Sequence, residues 1–257
     1  MEPPDVPGST AAPTPELLHS LAANPAAMAD LIGALHRRVR DAPGLVDLMG
    51  RAAREAVRLL PDIGWAGVTA QLEGPPFTAA STDPLVLVVD ESQYLADDGP
   101  CVRAMRSAAQ VSMTLAEVTA AWPSLGAAAR QAGVRSFLAV PLSAHSRPVG
   151  SLNLYSAESA VDADPDVLTV LTEYLDRGLT DFLDLHLPPV TDLTLRSAVS
   201  GWAVVEQAVG VLMQEHGFSA DYARQVLSDE AEDWARTLPE QAAAVIARSA
   251  GPEALPG

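Results

Sequence analysis

Between Leu195 and Ala247 the apolar positions recur every three and four residues in three short runs. Val199, Trp202, Val205, Ala208, Val209, Leu212 and Met213 form the first stripe, and Gly217 ends it. Ala223, Val226, Leu227, Ala231 and Trp234 form the second, behind Ser219, a favourable N-cap residue. Ala242, Ala243, Val245 and Ile246 form the third; Thr237 with Glu240 three residues on predicts its capping box, and Pro239 suits a first helical turn. Three helices this short bury little alone and need each other and a neighbouring segment.

Upstream the period changes. Leu45–Leu60 carries an apolar helical face with Arg51, Arg54 and Arg58 opposite. Trp65–Leu72 and Phe77–Ser81 read as paired strands around Gly74-Pro75-Pro76. Leu85–Val89 is an unbroken apolar run that period alone assigns neither to a strand nor to a helix. A helical turn is expected over Cys101–Ser107, a strand at Val111–Met113 and a helix over Trp122–Ala132. Strands follow at Ser136–Leu142 and Val149–Tyr155, then a long helix over Asp164–His186. In that last helix Leu168, Leu171, Leu175, Leu179, Phe182 and Leu185 keep heptad-like spacing, which predicts a coiled-coil-like seam and a homodimer. Earlier, Met1–Pro13 reads as a disordered lead-in. Thr14-Pro15-Glu16 reads as a helix start, and Pro25 and Pro43-Gly44 punctuate further helices.

Composition narrows the functions open to such a chain. It has 257 residues, 48% of them hydrophobic, room for one large or two modest domains. The net charge is −17, with 33 acidic residues against 16 basic ones, all arginine, a balance that repels phosphate backbones. A single cysteine, Cys101, leaves no internal disulfide or cysteine-rich zinc site, and reads as a small buried hydrophobe ahead of a redox sensor. The five histidines lie on separate elements, and no metal-ligand spacing, phosphate loop or nucleophile elbow is present. No metal, cofactor or catalysis is expected. Without a leader-like or membrane-spanning stretch, a cytoplasmic location is expected.

Two resemblances organise these runs. Gln93-Tyr94, Asp98-Gly99-Pro100-Cys101, Ala121-Trp122-Pro123, Gly133-Val134-Arg135-Ser136, Val140-Pro141-Leu142 and Gly150–Ser156 resemble the GAF domains that precede ANTAR modules. Val204–Ala208, Gly210, Leu212-Met213, Gly217, Ser219–Asp221, Ala223, Leu227, Ala231, Leu238 and Ala242 resemble the ANTAR family of bacterial transcription antitermination regulators. The likeness implies an α+β sensor, an antiparallel sheet with flanking helices, followed by an all-α three-helix bundle that binds RNA stem-loops. The expected division is 1–43 lead-in and N-terminal helices, 44–163 sensor, 164–190 transmitter helix, 191–250 RNA-binding bundle and 251–257 tail.

Within that frame the candidate RNA contacts are Arg196, Gln207, Arg224 and Arg236, with Trp202 and Trp234 as core residues that could also stack on bases. The family is usually basic around Trp202, Val209, Glu215, Ser228, Asp229, Glu232 and Thr237, which here are apolar, neutral or acidic. The alternative is therefore a protein-interaction or dimerisation module whose bundle does not bind RNA. The resemblance also implies a ligand site between sheet and helices, with Tyr94, Phe137 and Asn153 as candidates. A buried amide at Asn153 needs partners, and the backbone is the expected source.

Overall fold

The computed structural model describes residues 25–36, 39–72, 74–185, 190–234 and 236–249. The readings of Met1–Pro13, Thr14–Glu16, Pro188-Pro189 and the 251–257 tail lie outside these residues.

Two helices lead in, α1 (Pro25–Leu35) and α2 (Ala42–Leu59). Asp41 caps α2 by accepting the Gly44 N–H at 2.8 Å. Strands β1 (Trp65–Ala70) and β2 (Phe77–Ser81) follow, then α3 (Pro84–Ala96) and α4 (Pro100–Ser107). After β3 (Val111–Thr114) come α5 (Leu115–Ala121), α6 (Pro123–Gln131), β4 (Ser136–Ala144) and β5 (Arg147–Ser156). Long helix α7 (Pro165–Leu185) leads to α8 (Val190–His216), α9 (Ala220–Asp233) and α10 (Leu238–Ser249).

The five strands form one antiparallel sheet in the order β2-β1-β5-β4-β3. Strand alternation splits the side chains between two faces. Ala66, Val68, Ala70, Leu138, Leu142, Leu152 and Leu154 face a large core shared with α1, α2 and α7. The opposite face carries Trp65, Phe137 and Tyr155 against α3, α5 and α6.

Several expectations hold. Ser219 caps α9, Thr237 and Glu240 form the capping box of α10, and Gly217 ends α8 at φ 69°. Two elements go beyond them. The Leu85–Val89 run is helical, because Asp83 caps α3 through the Leu85 N–H. Helix α5 was not anticipated, although Thr114 and Glu117 form a capping box at its start.

The heptad-like stripe of α7 is not a free seam. Leu168, Leu171, Leu175, Leu179 and Phe182 are buried within the chain, leaving only Leu185 exposed. The spacing records an inward face, and its physical basis as a dimer contact is removed.

The C-terminal stripe also divides. Helix α8 has 27 residues, whereas α9 has 14 and α10 has 12, so its partners cannot cover its full length. Val205, Ala208, Val209 and Leu212 join Ala223, Leu227, Ala242 and Val245 in the bundle core. Leu195, Val199 and Trp202 pack instead on the core beneath the sheet. Trp234, expected on the buried face of α9, is its C-cap residue and 67% exposed.

Candidate functional site: a buried polar cluster and a bundle with engaged arginines

On the α3 side of the sheet lies a closed polar cluster. Val86, Val89, Asp90 and Gln93 recur at helical spacing and are all buried, so α3 turns a carboxylate and an amide inward with its valines. Gly67 of β1 permits this approach, since a Cβ there would lie 2.7 Å from Val86 Cγ1 and 3.1 Å from Asp90 Oδ2. Gly67 pairs in register with Asn153, which faces Ala139 on its other side. Small neighbours on both flanks leave room for the amide.

Asn153 donates to Thr69 Oγ1 at 2.7 Å and to Asp90 Oδ1 at 3.3 Å, and accepts from Ser151 Oγ at 2.8 Å. The expected backbone partners are replaced by side chains. Tyr155 donates to Asp90 Oδ1, and Thr78 donates to Asp90 Oδ2 at 2.8 Å. The Tyr94 hydroxyl bonds Thr69 at 2.8 Å and Thr78 at 2.9 Å. Gln93 donates to Tyr155 at 3.3 Å and accepts the Cys101 N–H at 2.9 Å. Phe137 sits beside this network, edge-on to Tyr155 with ring centroids 5.7 Å apart.

Of the three ligand-pocket candidates, Tyr94 and Asn153 therefore enter one network and Phe137 packs against it. Asp90, Thr69 and Thr78 were missed. Their signal was the helical spacing of Val86, Val89, Asp90 and Gln93, which is visible only once Leu85–Val89 is read as helix.

No cation faces Asp90 in this network. Burial pushes its carboxyl up to about 6, against the hydrogen bonds of Tyr155, Thr78 and Asn153 that favour the charged form. Burial, followed by the Asp90 charge, raises the Tyr94 and Tyr155 hydroxyls and the Cys101 thiol well above their ordinary values. A buried, protonated thiol is a weak nucleophile. The cluster can hold or release one proton at Asp90; it contains no activated nucleophile. Among the described residues no group of His, Cys, Asp and Glu is placed to hold a metal ion.

Of the four candidate RNA contacts, the three arginines have separate partners within the fold. Arg196 donates to the Pro75 carbonyl and lies over the Phe77 ring at 4.0 Å, joining α8 to the β1–β2 hairpin. Arg224 on α9 forms a forked ion pair with Glu206 on α8, with bonds of 2.8 to 3.2 Å. Arg236 donates to Gln241 Oε1 at 2.9 Å and stands 5.8 Å from the ring centre of Trp234. Gln241 is buried and donates in turn to Glu230 at 2.7 Å. Gln207 is exposed.

Comparison with known proteins matches these two units. The model "GAF domain" matches residues 42–179, and the model "ANTAR domain" matches 193–246. The chain belongs to the GAF-domain family and carries an ANTAR domain after it, both of them regulatory modules. No curated protein matches it.

Similar solved structures include the GAF domain of an Acinetobacter phosphoenolpyruvate-protein phosphotransferase. It is 12% identical, with a TM-score of 0.47, over 68% of this chain and 99% of that one. The free methionine-R-sulfoxide reductase of Neisseria meningitidis, in complex with its substrate, is 15% identical with a TM-score of 0.46, over 66% and 93%. At these values neither likeness speaks to activity. Among the described residues no helix is long and apolar enough to cross a membrane.

Proposed function

We propose that this chain is a signal-responsive transcription antitermination regulator, acting in the cytoplasm, whose C-terminal bundle takes RNA stem-loops and which catalyses no reaction. In this reading residues 44–163 sense, 164–190 transmit and 191–250 deliver the output. The supporting observation is the corner between α9 and α10. There Trp234 is 67% exposed, with the Arg236 guanidinium beside its ring, inside the segment that matches the ANTAR model. Unpaired loop bases stack on such aromatic and guanidinium surfaces.

Phosphate contact contributes little in this account. The matched segment holds three arginines against eight carboxylates, and all three are engaged within the fold, Arg196 with Pro75, Arg224 with Glu206 and Arg236 with Gln241. Binding should therefore be weak in charge terms and depend on stacking.

The second reading, a protein-interaction or dimerisation module without RNA binding, draws on that same acidic surplus. Filter binding of the full chain to a paired stem-loop RNA separates the two. Under the RNA reading, Trp234→Ala lowers affinity about five- to 150-fold, the equivalent of the ~1–3 kcal/mol of a base–aromatic stack. No binding by the parent chain at low salt would leave only the protein-interaction reading.

A further inference from the structure

We infer that the seam between sensor and bundle is a binding site for a neutral, mainly apolar small molecule about the size of one or two fused rings. A cleft of about 600 Å³ opens where the start of α2, the middle of α8 and the start of α10 meet. That volume falls within the range of small-molecule sites, which favour domain boundaries. Pro43 comes from the sensor side, Ala198 and Trp202 from α8, and Leu238 and Pro239 from α10. Thr194, Ser197 and Thr237 are the hydroxyl-bearing residues of its lining.

The lining fixes the class of ligand. Among the described residues it contains no charged side chain, so an ionic group bound there would lose hydration without a partner. Apolar surface dominates, with the half-buried Trp202 ring as the largest flat wall. Gly201 keeps the floor open: a Cβ there would lie 3.1 Å from Pro239 Cγ. The polar cluster on the α3 side supports the same placement. Its buried groups already bond one another, so a ligand entering between sheet and α3 would have to break those bonds.

Because the walls come from both units, a ligand in the cleft binds only while α8 is seated on the sensor, and it holds that arrangement by mass action. Leu238 and Pro239 follow directly on Arg236 and Thr237, so occupancy is felt at the corner assigned to RNA. That consequence rests on the proposed function; the site itself does not.

The test is a titration of the full chain with prodan, a neutral apolar dye built on two fused rings, read by its fluorescence without RNA. Saturable binding of one dye per chain is expected. Ser197→Trp fills the cleft from an exposed position and should weaken binding at least tenfold with circular dichroism and melting temperature kept. Ser197→Asp, which sets an unpaired carboxylate at the rim, should weaken it as well. Leu95→Gln, on the exposed apolar side of α3, should stay within twofold of the parent. Absence of saturable binding, Ser197 variants that bind within twofold of the parent, or loss of binding in Leu95→Gln would each overturn the site. A failure of RNA binding would leave these readouts unchanged, so the two proposals fail separately.

Discussion

Replacing Asp90 with asparagine should flatten the dependence of sensor stability on pH. The Asp90 carboxyl is fully buried, bonded by Tyr155, Thr78 and Asn153, and sits at about 6 in the folded chain, against an ordinary value of 3.8. The folded state thus holds this proton more tightly than the unfolded one. Its contribution to stability is full below about 3.8 and is lost as pH rises through about 6. Between pH 5 and pH 8 the loss comes to about 1.4 kcal/mol. Asp176, which accepts the Ser143 N–H at 2.8 Å, is also raised to about 6 by burial and adds a slope of the same sign. That second slope remains in the variant, so the difference between the two proteins isolates Asp90. The assay is urea unfolding at pH 5 and pH 8, in a Trp202→Phe, Trp234→Phe background where Trp65 and Trp122 report the sensor. An Asp90→Asn protein that keeps the parent's full pH dependence would refute the reasoning.

Three further outcomes are expected. Leu179→Ala, inside the α7 stripe, should cost about 2–5 kcal/mol, with the melting temperature falling equally at low and high protein concentration; a concentration-dependent fall would place the stripe in an interface between chains. Arg196→Ala loses the Pro75 bond and the Phe77 contact, about 1–2 kcal/mol together, so hydrogen exchange over the first half of α8 should quicken while the strands keep their protection. Gly150→Ala should destabilise by at least about 3 kcal/mol in thermal unfolding, because a Cβ would lie 2.2 Å from the Thr69 carbonyl on the paired strand β1.

Local chemistry made much of the fold legible. Gly217, Ser219 and the Thr237/Glu240 pair mark helix boundaries because a cap depends on residues three positions apart. Strands β4 and β5 were visible from their apolar runs. What sequence could not resolve was which surface each apolar stripe meets. The α7 stripe has the spacing of a coiled coil, and only the position of α2 and β4 shows that it is filled from within the chain. The α8 stripe reads as one face, yet it serves two cores because the helix outruns its neighbours.

The candidate sites show the same limit. Asn153 was legible as an amide among apolar neighbours, whereas its partners Thr69 and Asp90 come from 84 and 63 residues away along the chain. Arg224 reads from sequence as an RNA contact or, at least equally, as half of a salt bridge, and only the fold picks out its partner, Glu206, 18 residues earlier. Pairings between distant elements depend on the fold, and no local spacing encodes them.

The most direct test of the regulatory account is RNA affinity as a function of salt, measured by filter binding of the full chain to a single stem-loop. With base stacking at Trp234 dominant and the segment's three arginines engaged within the fold, the account predicts measurable binding. The slope of log affinity against log salt should be shallow, no steeper than about −2. Binding that is absent at low salt, or that survives Trp234→Ala with a steep slope, would contradict it.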